Sequence, residues 1–166
     1  MIWRKLFSAK LAAAIFVLVA LSNAAAKSAT GSDWHAIDAD GLFTFQLPRA
    51  FVKTNMMGME NYLGEYYQGQ TRFLFVCQDT ASYEYDEHLM RGLREIPTNI
   101  DGMRSTIRTF SITRDGVLIY VAELNVGNWR EGEVRLYMGL ESRKREDTAV
   151  ARRIFSSIRF TKRGRA

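Results

Sequence analysis

Ser82-Tyr83-Glu84-Tyr85-Asp86-Glu87-His88-Leu89-Met90-Arg91-Gly92-Leu93-Arg94-Glu95-Ile96 lies mid-chain, and its reading decides the fold class. Tyr85, Leu89, Leu93 and Ile96 recur at helical spacing, while Asp86, Glu87, Arg91, Arg94 and Glu95 fall on the opposite side. Asp79, Thr80 or Ser82 can accept from the first unsatisfied backbone N–H groups, and Pro97 stops the run. The spacing predicts an amphipathic helix over 82–96.

Both flanks of this segment read as strand. Upstream, Phe43, Phe45 and Leu47 alternate toward one buried face until Pro48 stops the run, and Gly41 after Asp38-Ala39-Asp40 marks the turn before it. A second strand is expected over 62–67 and a third over 71–77, with the turn at Gln68-Gly69-Gln70 between them. The third, Phe73-Leu74-Phe75-Val76-Cys77, is apolar on both faces and so belongs in the middle of a sheet. Downstream, a loop at 99–102 leads to a strand near 103–112. Asp115-Gly116 then turns the chain back over 117–124, since both turn positions tolerate positive φ. A longer loop precedes a strand at 133–141. The last elements are a helix over 146–157, with Val150, Ile154, Phe155 and Ile158 on one stripe, and a short strand to Phe160. This order predicts an α+β fold, a mainly antiparallel sheet flanked by two helices.

Arg4, Lys5 and Lys10, an apolar run over 11–21 and the small residues Ser22-Asn23-Ala24-Ala25-Ala26 have the order of a cleavable export signal. The run falls short of the ~20 residues a membrane-spanning helix needs. The expected organisation is a signal peptide at 1–26, a disordered lead-in at 27–33, one domain at 34–161 and a basic tail at 162–166. The destination would be the periplasm or the exterior. Removing the leader lowers the formal charge from +5 to +2, which argues against a nucleic-acid partner. With Cys77 the sole cysteine, no intramolecular disulfide can form.

Gly41-Leu42-Phe43-Thr44-Phe45-Gln46-Leu47-Pro48 and Ala151-Arg152-Arg153-Ile154-Phe155-Ser156-Ser157-Ile158-Arg159-Phe160 resemble the opening and closing segments of the PsbP/Mog-type family. In that family an aromatic-rich first strand ends in proline, and the chain closes with a helix passing through small residues into a final strand. The resemblance implies an α/β/α sandwich and a non-catalytic, protein-binding accessory role. It carries no site residue across.

The chemistry-bearing residues are sparse. His35 and His88 are the only histidines, and a small hydrolase would have to use His88 with Asp86 or Glu87. No G-x-S-x-G, H-E-x-x-H, phosphate-loop or dinucleotide signature is present. The residues therefore point to no enzyme and to no required cofactor. Cys77 reads as a small core residue. Met56, Met57 and Met59 beside Tyr62, Tyr66 and Tyr67 give an aromatic and thioether-rich stretch suited to gripping a partner protein or a small apolar ligand. The three thioethers could also offer soft ligands to cuprous ion, although no metal site is assigned. Arg143-Lys144-Arg145 and Lys162, Arg163 and Arg165 could touch an anionic membrane surface. The reading that results is an exported, non-catalytic accessory protein that binds an envelope protein.

Overall fold

A computed structural model describes residues 33–54, 62–78, 85–127 and 135–161. The expected leader, nearly all of the lead-in, the methionine loop and the basic tail lie outside these residues. Strands β1 (Trp34–Ala39), β2 (Phe43–Pro48), β3 (Val52–Lys53), β4 (Tyr62–Gln68) and β5 (Thr71–Gln78) come first. A 3-10 turn at Glu87–Leu89 leads to β6 (Arg91–Ile100), β7 (Met103–Arg114), β8 (Val117–Val126) and β9 (Arg135–Ser142). Helix α1 (Asp147–Ser156) and β10 (Arg159–Phe160) close the chain. The strands form two antiparallel sheets, one in the order β3-β4-β5-β9-β8-β7-β6 and a small one in the order β1-β2-β10.

This β-rich architecture corrects the expected α+β sandwich and the two-helix, PsbP/Mog-like fold that the resemblance implied. The helix expected over 82–96 is absent among the described residues; its second half is edge strand β6, paired to β7 from Arg91↔Ser111 to Ile100↔Met103. Leu89, Leu93 and Ile96, read as a buried stripe, are 58, 40 and 41% exposed. Three physical reasons favour the strand. Gly92 takes a φ of +64° at an irregularity between Arg91 and Arg94, which no helix interior allows. Ile96, Thr98 and Ile100 also carry a period of two that suits the pleat. Finally, Asp101-Gly102 adopts φ of +48° and +87°, a two-residue hairpin turn that ties the segment to β7.

Three Asp-Gly pairs punctuate the fold in the same way. Asp40-Gly41 turns β1 into β2, Asp101-Gly102 turns β6 into β7, and Asp115-Gly116 turns β7 into β8, every one of these residues at positive φ. The last of these is the hairpin expected from sequence.

The turn at Asp101-Gly102 also sets how β6 meets solvent. The pair Ile100↔Met103 that closes a two-residue turn is hydrogen-bonded, and bonded pairs then alternate along the ladder. Arg94, Ile96 and Thr98 therefore spend their backbone groups on β7, whereas Glu95, Pro97 and Asn99 point theirs outward. Pro97 sits where its missing N–H removes no ladder bond and leaves a gap in the outward row of donors. That gap blunts the edge against addition of another strand.

The small sheet and α1 cover one face of the large sheet. Phe43, Phe45, Leu47, Phe73, Phe75, Leu124, Met138, Leu140, Ile154, Phe155 and Ile158 form the shared core. Phe43 meets Phe75 edge-on at 5.4 Å and Phe45 meets it at 5.6 Å. Burial of each such ring contributes about 1.5–3 kcal/mol. Phe75 packs over Gly64, where an added Cβ would fall 2.1 Å from the ring. Ser157 Oγ accepts from Gln46 N–H at 2.8 Å and fixes the end of α1 against β2. Cys77 is buried in this core, as its apolar strand suggested.

Candidate functional site

The opposite face of the large sheet sets charged side chains among two small apolar clusters, Leu74, Val76 and Tyr137 in one and Phe110, Ile112 and Val121 in the other. By register, Glu65 of β4, Arg72 of β5, Glu141 of β9, Glu123 of β8, Arg108 of β7 and Glu95 of β6 all project to this side. Glu65, Glu123 and Glu141 are only 6, 1 and 6% exposed. Three buried carboxylates on one surface persist only if each is paired.

Each of the three carboxylates has partners. Glu65 receives Arg72 Nε at 2.5 Å, the Tyr67 hydroxyl at 3.1 Å and the Thr54 hydroxyl at 3.1 Å. Glu141 is held by both terminal nitrogens of Arg114 at 3.1 and 3.2 Å, by the Tyr85 hydroxyl and, at 3.8 Å, by Arg72. Glu123 receives Arg108 at 3.2 Å and the Tyr137 hydroxyl at 3.1 Å. Arg108 reaches on to Glu95 at 3.0 Å and Glu87 at 3.8 Å. Gly139 makes the Tyr137 bond possible, since a Cβ there would lie 2.9 Å from the Tyr137 hydroxyl.

The electrostatics divide the three acids. Burial alone would raise the Glu65 carboxyl, but Arg72, Tyr67 and Thr54 outweigh it and hold the group below its ordinary range. Burial likewise opposes ionisation of Glu141, and Arg114, Tyr85 and Arg72 overcome it. At Glu123 burial wins over Arg108 and Tyr137 and pushes the carboxyl up. Burial also raises the hydroxyls of Tyr66, Tyr67 and Tyr137. Both oxygens of each buried glutamate already accept a bond, so the network holds side chains rigid.

The expected site residues scatter. Met56, Met57 and Met59 lie outside the described residues, and so does the copper reading built on them. Tyr62 is placed on β4 by its backbone. Tyr66 is buried against Phe73 at 6.2 Å and presents no ring to solvent. Tyr67, its neighbour, points to the charged face and is 38% exposed, beside Val52 at 68%, its cross-strand partner. His88 is exposed, and Asp86 Oδ1 accepts from its backbone N–H at 3.0 Å, capping the 3-10 turn. Among the described residues no carboxylate orients the His88 imidazole, which the hydrolase alternative requires. Arg143, Lys144 and Arg145 are exposed, and Lys162, Arg163 and Arg165 lie outside the described residues. Among the described residues no helix is long and apolar enough to cross a membrane, and no group of three or more His, Cys, Asp or Glu could hold a metal ion.

The charged network escaped the sequence reading, though each member left a local mark. Glu65, Glu123 and Glu141 are acids set into otherwise apolar or aromatic strands, as in Val121-Ala122-Glu123-Leu124. Such a residue must find a partner across the ladder, but the partner strands are distant in sequence.

No protein-family model matches this chain, and no curated protein does. Solved structures similar to it include PA94 from Pseudomonas aeruginosa, a protein of unknown function, at 10% identity over 73% of this chain and 90% of that one, with a TM-score of 0.38. Another is LpqN of Mycobacterium tuberculosis, described as involved in cell envelope biogenesis, at 14% identity over 78% of this chain and 79% of that one, with a TM-score of 0.39. Likeness at this level carries no argument about function.

Proposed function

We propose that this chain is an exported, non-catalytic accessory protein of the cell envelope that binds another envelope protein through the end of the large sheet at Val52 and Tyr67. One observation carries the choice of surface. Val52 and Tyr67 form an exposed cross-strand pair, and Glu65, itself gripped by Arg72, fixes the Tyr67 hydroxyl. A tyrosine already held in one rotamer loses little entropy on docking, which is what makes such residues strong anchors. The export signal read from the sequence supplies the location.

A photoreactive amino acid placed at position 52 or 67 is expected to crosslink one envelope protein, and the same probe at the distant, exposed Leu118 is expected not to. Replacing Val52 by lysine together with Tyr67→Ala should abolish capture of that protein. Equal crosslinking from position 118, or capture that survives the double substitution, would overturn the assignment.

A further inference from the structure

The three Asp-Gly turns share a backbone conformation and differ in what holds them. Asp40, Asp101 and Asp115 take φ of +47°, +48° and +52°, each followed by a glycine at positive φ. Asp38 Oδ1 accepts from the Gly41 N–H at 2.6 Å, and Asn99 Oδ1 accepts from the Gly102 N–H at 2.8 Å. In both turns the acceptor stands two residues before the aspartate, where a short Asp or Asn side chain reaches the backbone ahead of it. Asp101 is held twice, since its Oδ2 also accepts from the Phe160 N–H at 2.8 Å. At Asp115-Gly116 the acceptor's place belongs to Thr113. Among the described residues neither the Gly116 N–H nor the Asp115 carboxylate has a hydrogen-bond partner.

From this difference we infer that Asp115-Gly116 is a site of spontaneous aspartate isomerisation, with water as the only co-reactant. The Gly116 nitrogen attacks Asp115 Cγ; an N–C bond forms, the C–OH bond breaks, and the amide proton leaves with the hydroxyl as one water. The five-membered imide that results is reopened by water at either carbonyl. Opening at the main-chain carbonyl leaves the chain running through Cγ as isoaspartate, of unchanged mass. Cyclisation requires the Asp-Gly peptide plane to rotate toward the aspartate side chain, and the bonds from Gly41 and Gly102 pin that plane. Space does not separate the three turns. All six residues are exposed, and nothing lies within 4 Å of a Cβ built on any of the three glycines. Isoaspartate adds one methylene to the turn that closes the pair Arg114↔Val117. Arg114 clamps Glu141 through both terminal nitrogens, so a change at this tip reaches the charged face.

Incubating the protein at pH 5 and 37 °C, followed by peptide mapping with electron-transfer fragmentation, should find isoaspartate at position 115 about tenfold above positions 40 and 101, the factor that one retained hydrogen bond is worth in a rate. Thr113→Asp should bring position 115 down to the level of the other two, and Asp38→Ala should raise position 40 toward that of 115. The Val117 amide should exchange faster in the aged protein than in the fresh. Equal isoaspartate at the three positions, or rates unchanged by both substitutions, would overturn the inference. In denaturant the pinning bonds are gone and the three pairs should react at similar rates. A preference for position 115 that persists there would assign it to local sequence rather than to the fold, and would overturn the inference as well.

Discussion

The two faces of the seven-stranded sheet share a backbone and solve burial by opposite chemistry. One face is hydrocarbon, where Phe43, Phe45, Phe73 and Phe75 interlock beneath α1 and the small sheet. The other buries three glutamates, each matched to an arginine and at least one hydroxyl. Apolar packing is tolerant of direction, and losing one member leaves a void. A charged lattice is directional, and losing one member leaves its partner stranded. The difference can be tested by asking which losses can be repaired by a second substitution.

The largest effect belongs to the apolar face. Phe43 is fully buried and touches Phe45, Phe75 and Phe160. Phe43→Ala should cost about 3–5 kcal/mol in denaturant unfolding, and no single second truncation nearby should restore it. Recovery by removing Phe45 as well would break the distinction between the faces.

On the charged face, Glu123→Ala should cost about 2–3 kcal/mol, because Arg108 and the Tyr137 hydroxyl lose a buried acceptor. The combination of Glu123→Leu, Arg108→Met and Tyr137→Phe should regain most of that stability, since the stranded groups go too. Chemical denaturation of the wild type, the single variant and the triple variant reads the interaction directly. A triple variant no better than the single would show that the lattice is not mutually compensating.

The smallest effects are in pH dependence, where the glutamates should act in opposite senses. Glu65 and Glu141 sit below the ordinary carboxyl value of 4.5, so their contribution is present above it and lost as pH falls through the folded values. Glu123 sits above 4.5, so its contribution is complete below that pH and declines as pH rises toward the folded value. Stability measured from pH 3 to 7 should therefore show Glu141→Gln flattening the acid loss. Relative to wild type, Glu123→Gln should gain ground as pH rises. The same slope for both variants would contradict the assigned directions.

Much of the fold was legible where a local cause sufficed. Phe43, Phe45 and Leu47 alternate in sequence and are buried as β2; the pattern over 71–77 announced a central strand, and β5 lies between β4 and β9. The candidate site was far less legible. Tyr66 and Tyr67 read alike in the sequence, but Tyr66 went to the core and Tyr67 to the other side because one residue along a strand reverses the face. None of Glu65, Glu123 or Glu141 was singled out, since their partners come from strands that only folding brings alongside.

By itself the sequence determined the turns and the closing helix, because positive φ at Asp-Gly pairs and an amphipathic stripe over Asp147–Ser156 are settled within a few residues. Only the tertiary structure decided the fate of residues 91–96. Their apolar spacing suits a helix, yet a ladder to β7 fixed by the Asp101-Gly102 turn makes them an edge strand, and that pairing energy exists only once β7 is in place. The charged face was decided the same way. A buried carboxylate is costly until an arginine from another strand arrives, and which strand arrives is a property of the assembled sheet.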